Sequence, residues 1–265
     1  MVEPRELESI AREVAREAGE LAHRRRTAGV AIAATKSALA DIVTDADREV
    51  EALIRERLTA ARPGDGFLGE ESGAESGETG VTWVVDPIDG TVNYAYGIPS
   101  YAVSIAAIAG EPDPSRWEVL AGVVRNPASG EEFHAALGEG AWLGDARLAV
   151  NDPVGEAGAL LATGFGYDPA THEGDLVRVM RVMPLARDIR RIGSAALDLS
   201  FVAAGRLDGY FERGINAWDH AAGELLVREA GGVFRRSLDP GETRALVVAA
   251  GPSLVDELFA TAIAD

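Results

Sequence analysis

Apolar positions recur every three to four residues near the start of the chain. Leu7, Ile10, Ala11, Val14, Ala18, Leu21 and Ala22 share one face of a helix predicted for residues 5 to about 27. Residues 31–40 are small or polar and aperiodic, and are expected to form a loop. The helical period returns from Thr44 to about residue 61, through Val50, Leu53, Ile54 and Leu58. Thr44 is placed as its N-cap, Asp45 and Asp47 lie in its first turn, and Pro63-Gly64-Asp65-Gly66 stops it. A short apolar run at 67–69 follows, then a turn over 73–80 and strands at 81–85, 101–109, 117–125 and 131–137. Runs of strands beside paired helices predict an α+β first half with a largely antiparallel sheet.

Beyond residue 150 the rhythm changes. Strands are predicted at 159–162, 188–192, 207–211, 233–234 and 246–249, and helices at 175–183, 194–204, 219–230 and 253–263. This alternation reads as α/β. Composition shifts little around Asn151-Asp152-Pro153, so a soft boundary separates a half spanning 1–150 from one spanning 151–265. The two halves are expected to pack as one body with a cleft between them.

Composition narrows the function classes. The chain has 265 residues, 47% of them hydrophobic, enough for a sizeable core. It carries 25 basic and 43 acidic residues, a net charge of -18, which repels a phosphate backbone and makes nucleic acid an unexpected direct partner. Metal cations are not repelled. Lys36 is the only lysine. The absence of cysteine excludes disulfides, thiolate metal sites and a cysteine nucleophile. The first residues are charged and lack the apolar segment of a signal peptide, and no apolar run approaches the ~20 residues of a membrane span. A soluble cytoplasmic protein is the expectation.

The densest chemistry lies in Trp83-Val84-Val85-Asp86-Pro87-Ile88-Asp89-Gly90-Thr91-Val92-Asn93. An apolar run delivers Asp86 and Asp89, three residues apart, into one place. Two such carboxylates in a low-dielectric cleft either share a proton or share divalent cations; on a solvated Asp-Pro turn they would do neither. Oxygen ligands without cysteine favour Mg²⁺ or Mn²⁺ over Zn²⁺. If a helix starts at Gly90-Thr91, its free N–H groups can hold a phosphate; otherwise Thr91 is a plain N-cap. Glu70 also follows an apolar run, and Asp219 precedes a helix, where it either caps that helix or joins the other acids.

Four segments resemble the inositol monophosphatase family of Mg²⁺-dependent, lithium-sensitive phosphomonoesterases. They are Gly69-Glu70-Glu71-Ser72, the stretch from Trp83 to Tyr94, Ile192-Gly193-Ser194-Ala195-Ala196, and Trp218-Asp219-His220-Ala221-Ala222-Gly223 running into Glu229-Ala230-Gly231-Gly232. The resemblance covers nearly the whole chain. It implies a layered αβαβα sandwich of the inositol monophosphatase and fructose-1,6-bisphosphatase type, and a homodimer. It implies two to three Mg²⁺ ions per site, with Mn²⁺ as an alternative. Glu70, Asp86 and the Ile88 carbonyl would bind the first, and Asp86, Asp89 and Asp219 the second. A weaker third would also lean on Glu70. By the same resemblance, Thr91 orients the attacking water together with Glu70, Asp47 supports Thr91, and the N–H groups of Gly90 and Thr91 hold phosphate oxygens. Glu212, Gly193 and Ala195 face the polyol, while Asp89 and Asp219 border the substrate as well. Lys36 falls in the segment matching the family's loop over the metal site. His220 reads as structural rather than as a base.

The acid at Glu212 suits neutral hydroxyls and disfavours a second phosphate nearby. The implied substrate is inositol 1-phosphate or a related polyol monophosphate, with histidinol phosphate and fructose 1,6-bisphosphate as alternatives on the same fold. Some bacterial relatives also act as protein partners in transcription complexes, so an interaction role stays open.

Overall fold

The computed structural model describes residues 3–29, 32–35, 42–237 and 244–264, of which 32–35 and 42–44 by backbone alone. Helix α1 (Pro4–Ala28) begins on a proline, whose missing N–H has no intrahelical partner at that position, and ends at Gly29 with φ 99°. It buries Leu7, Ala11, Val14, Ala18 and Ala22 as their spacing predicts. Strands β1 (Ile32–Thr35) and β2 (Ile42–Thr44) pair antiparallel, so part of the expected 31–40 loop is a strand. Helix α2 (Asp45–Ala61) follows directly and lies beside α1.

The large sheet comprises β3 (Gly66–Gly69), β4 (Gly73–Glu75), β5 (Val81–Asp89), β6 (Ala102–Gly110), β7 (Trp117–Arg125), β8 (Glu132–Ala136), β9 (Ala141–Leu143) and β10 (Ala146–Arg147), in spatial order β10-β9-β8-β7-β6-β5-β3-β4. Its neighbours are antiparallel except β3 and β5, which run parallel. Three differences from the sequence reading stand out. Residues 73–75, read as turn, form the edge strand β4; β9 and β10 are additional; and β5 runs through Asp86 to Asp89 instead of ending at Val85. Between β5 and β6 sits α3 (Thr91–Tyr96).

The second sheet comprises β11 (Ala159–Thr163), β12 (Ala186–Arg190), β13 (Gly209–Arg213), β14 (Val233–Ser237) and β15 (Leu246–Ala250), ordered β12-β11-β13-β15-β14. β11 is parallel to β12 and β13, whereas β15 is antiparallel to both its neighbours. The helices of this region are α4 (His172–Val182), α5 (Ala195–Ala203), α6 (Ala217–Glu229) and α7 (Pro252–Ile263).

Helices α1 and α2 cover the outer face of the large sheet, α5 and α6 lie between the sheets, and α7, with α4 against it, covers the outer face of the small sheet. The result is an αβαβα sandwich. Because α5 is covered on both sides, nearly every residue from Ala195 to Ala203 is buried and it shows no polar face. Close approach in this middle layer depends on small residues. A Cβ at Gly122 of β7 would lie 3.0 Å from the Ala222 backbone of α6, and one at Gly223 would lie 2.6 Å from Leu199 of α5. No helix among the described residues is long and apolar enough to cross a membrane.

Candidate active site

Asp86 and Asp89 are an odd number of residues apart, so in a regular strand their side chains would point to opposite faces. The register solves this. Asp86 pairs with Ser104 and Asp89 with Ala102, three steps on β5 against two on β6. That extra residue is a bulge, and it brings both carboxylates to one face. Pro87 sits inside the bulge, where a missing N–H breaks no regular ladder bond. The Ile88 N–H donates to Asp86 Oδ1 at 3.0 Å, which pins the turn of the chain. Gly90 then takes φ 88°, a left-handed conformation costly for a residue with a Cβ, and α3 begins at Thr91.

Thr91 Oγ1 lies 3.2 Å from Asp47 Oδ1 and 3.0 Å from the Ile88 carbonyl. Asp47 is buried in the first turn of α2, so the outer helical layer reaches Thr91 through this side chain. Glu70 comes from just beyond β3. Its N–H donates to the Val85 carbonyl at 3.2 Å, and the N–H of Glu71 donates to buried Glu51 at 2.9 Å, fixing the segment. Asp219 stands in the first turn of α6 and accepts the Asn216 N–H at 2.5 Å. Carboxylate oxygens of Asp86, Asp89 and Asp219 all lie within 4.8 Å of one another.

The floor comes from the second sheet and the middle helices. Asp89 Oδ2 accepts the Ser194 hydroxyl at 2.5 Å and the Ala196 N–H at 2.8 Å, tying it to the start of α5. Glu212, on β13, accepts the hydroxyl of fully buried Tyr210 at 2.7 Å. Glu212 lies against Gly164, where a Cβ would fall 2.0 Å from its Oε2. Glu70, Asp86, Ile88, Asp89, Gly90, Thr91, Gly193, Ala195, Glu212 and Asp219 all line one pocket of about 130 Å³. That is roughly ten times the room one water needs, enough for cations, waters and part of a small ligand. Asp47 stands behind Thr91 and does not line it.

Burial pushes the carboxylates up from their ordinary range, and their neighbours add to the shift. Asp86, 2% exposed, is held well above it by burial and then by Glu70, Asp89 and Asp219. Asp219 rises for the same reasons, opposed by the Asn216 N–H. Asp89 is pushed up to about 6, because the Ser194 hydroxyl and the Ala196 N–H partly offset its burial. Glu212 reaches about 7, with burial opposed by the Tyr210 hydroxyl and by Arg191. Converging buried carboxylates of this kind create a strong demand for positive charge. The clustered donors are all carboxylate oxygens, which fits a hard divalent cation such as Mg²⁺.

Sequence reasoning missed several participants. Gly164, Phe165, Gly166, Tyr167 and Arg191 line the pocket, and Ser194 and Tyr210 hold two of its acids. Ser194 had a signal, since it is the N-cap of α5 and accepts the Leu197 N–H. Tyr210 lies two residues before Glu212 on one strand face. Lys36 lies outside the described residues. His220 does not line the pocket. Its ring packs at 5.8 Å from Trp117 and 5.5 Å from Phe234, and burial lowers it to about 3, so it is a neutral core residue.

The sequence model of the Inositol monophosphatase family matches residues 3–264. The chain is 44% identical to the inositol-1-monophosphatase SuhB of Mycobacterium tuberculosis over 97% of its own length and 93% of that protein. It is 42% identical to the Nus factor SuhB of Haemophilus influenzae over 85% and 83%. The crystal structure of the extragenic suppressor protein suhB from Bartonella henselae superposes with a TM-score of 0.86 at 35% identity, covering 96% of this chain and 97% of that one. With a family match over nearly its full length and relatives this similar at both levels, the chain belongs to the inositol monophosphatase family.

Proposed function

We propose that the protein is a Mg²⁺-dependent phosphomonoesterase that hydrolyses inositol 1-phosphate and related polyol monophosphates to the alcohol and phosphate. The observation that carries this reading is the convergence of Asp86, Asp89 and Asp219 within 4.8 Å, in a pocket that also contains Glu70, Thr91 and Glu212. Glu70, Asp86, the Ile88 carbonyl, Asp89 and Asp219 would hold the cations. When bound, these ions would supply a nucleophilic water at neutral pH and neutralise charge on the phosphate and the leaving alkoxide.

The remaining roles belong to the chain itself. Thr91 has one hydroxyl hydrogen and two acceptors within reach, Asp47 Oδ1 and the Ile88 carbonyl. If the Ile88 carbonyl holds a cation, that hydrogen would go to Asp47. A Thr91 lone pair can then accept a hydrogen from the attacking water and, with Glu70, aim it at phosphorus. The N–H groups of Gly90 and Thr91 would hold phosphate oxygens as charge grows on them. Glu212 has one oxygen occupied by Tyr210 and the other available for substrate hydroxyls. No covalent enzyme nucleophile is required.

The test is phosphate release from inositol 1-phosphate, histidinol phosphate and fructose 1,6-bisphosphate, compared by kcat/KM with Mg²⁺ and with EDTA. The expected result is preference for inositol 1-phosphate, loss in EDTA, and loss in Asp89→Asn. Equal turnover in EDTA or by Asp89→Asn would overturn the mechanism, and preference for another ester would overturn the substrate. The relative named Nus factor SuhB supports a second reading, a protein-interaction role beside catalysis. Co-purification of this chain with its own transcription machinery, kept in Asp89→Asn, would establish it.

A further inference from the structure

Two loops face each other across the pocket. One, residues 164–167, leaves the end of β11 and carries Gly164 to Tyr167; the other, residues 213–216, runs from β13 into α6 and precedes Asp219. Both depart where strand pairing stops. The last pair on β11 is Thr163 with Phe211, and the last on β13 is Arg213 with Leu246. Something other than the ladder must therefore set their spacing.

We propose that Arg244 is a positioning residue: its guanidinium, wedged between Gly166 and Gly214, fixes the distance between the two loops that form the substrate-facing rim. A Cβ at Gly214 would lie 2.4 Å from Arg244 Nε, and one at Gly166 would lie 2.5 Å from Thr171 Oγ1 and 2.6 Å from Arg244 Nη2. The guanidinium thus lies close against both backbones, in space that side chains at Gly166 and Gly214 would fill. Its hydrogen bonds reach the same two loops. Nη2 donates to the Arg213 carbonyl on one side. On the other, Nη1 and Nη2 donate to Asp175 at 3.4 and 3.2 Å, and the Asp175 carboxylate accepts the Gly166 N–H at 3.1 Å. The backbone beside Arg244 adds two more ties: its carbonyl accepts from Arg213 Nη1 at 3.2 Å, and the Ala245 carbonyl accepts the Gly214 N–H at 2.8 Å. Asp175 is 5% exposed, so these charged bonds are largely shielded from water. Arg244 itself does not line the pocket. It acts through the loops, and a planar fork with several donors is what this geometry uses; a lysine ammonium could satisfy one side only.

The kinetic consequence rests on the polyol phosphatase reading, while the clamp itself does not. Amide hydrogen exchange and steady-state kinetics on Arg244→Met, Arg244→Lys and Gly166→Ala test both, with Arg178→Met as the control. Arg178 also pairs with Asp175, at 3.2 Å, but its Nε donates to the Ala262 carbonyl, away from both loops. In the Arg244 and Gly166 variants, exchange in segments 164–167 and 213–216 should rise roughly tenfold or more. KM for inositol 1-phosphate should rise by about the same factor, with kcat within about threefold of the parent. Arg178→Met should lower Tm and change neither. Unchanged exchange in both segments, an equal rise in Arg178→Met, or faster exchange with unchanged KM would overturn the positioning role. If Arg244→Met does not fold, Arg244→Lys decides, because the methyl of Gly166→Ala also meets Thr171 Oγ1. If the parent protein does not turn over inositol 1-phosphate, the functional reading falls and the exchange measurements still judge the clamp.

Discussion

Gly164→Ala gives the sharpest access to the proposed role of Glu212. Gly164 does not have positive φ, so alanine is permitted by the backbone and the effect is one of space. The new Cβ would lie 2.0 Å from Glu212 Oε2 and 2.3 Å from Cδ. Ordinary contact begins near 3.4 Å, so the carboxylate must retreat by about 1.4 Å. It cannot do so and keep the 2.7 Å bond from the Tyr210 hydroxyl. A hydrogen bond to a charged group contributes about 1.5–3 kcal/mol, and the substrate hydroxyl would lose an aligned acceptor at the same time. The expected result is a roughly ten- to hundredfold rise in KM for inositol 1-phosphate. Turnover of p-nitrophenyl phosphate, which has no ring hydroxyls, should change by less than about threefold, because the acidic cluster and Thr91 are untouched. Since only the end of a flexible side chain moves, Tm should fall by no more than about 5 °C. The assay is paired kinetics on the two esters, with thermal melting of the same samples. If both substrates lose activity equally, or if neither does, Glu212 is not the hydroxyl contact.

The other predictions concern the acids and their surroundings. Asp89, at about 6, and Glu212, at about 7, both lie above their unfolded values, so the metal-free folded state binds extra protons between about pH 4 and 7. Stability of the protein in EDTA should therefore fall by several degrees in Tm as pH rises through that window, and millimolar Mg²⁺ should restore it at pH 7; a rise in Tm across the window in EDTA would contradict the assignment. Thr91→Val should lower kcat about a hundredfold while Mg²⁺ affinity changes little, checked by kinetics and calorimetry; an unchanged kcat would remove Thr91 from the mechanism. His220→Phe should keep kcat within about threefold, since neither ring nitrogen has a hydrogen-bond partner among the described residues and the ring sits between Trp117 and Phe234. A large loss of kcat with an intact melt would make His220 a participant after all.

These residues also show where the sequence is readable and where it is not. Asp86, Asp89, Glu70 and Asp219 each leave a local mark, a charge placed where an apolar run or a helix start predicts burial. What the run 83–85 could not show is the bulge. Alternation puts Asp86 and Asp89 on opposite faces, and only the pairing of β5 with β6, residues 102–104, supplies the extra step that brings them together. The layered order of helices and sheets was likewise implied by the family motifs, not by periodicity alone. The strands β1, β4, β9 and β10 are two to four residues long, too short for any period to appear.

The residues that hold the acids are less legible, for a physical reason. Gly164 looks like any turn glycine until Glu212, 48 positions later, is placed against it. Tyr210 looks like an ordinary strand aromatic until its hydroxyl meets a carboxylate. Arg244 lies in a polar stretch that reads as surface, yet it is three-quarters shielded and touches two loops at Gly166 and Gly214, 78 and 30 residues before it. A group that performs chemistry must be costly in its own surroundings, and that cost shows in its flanking sequence. A group that positions it need only fit a distant partner, so its meaning appears only once β11, β13 and β15 are assembled side by side in the second sheet.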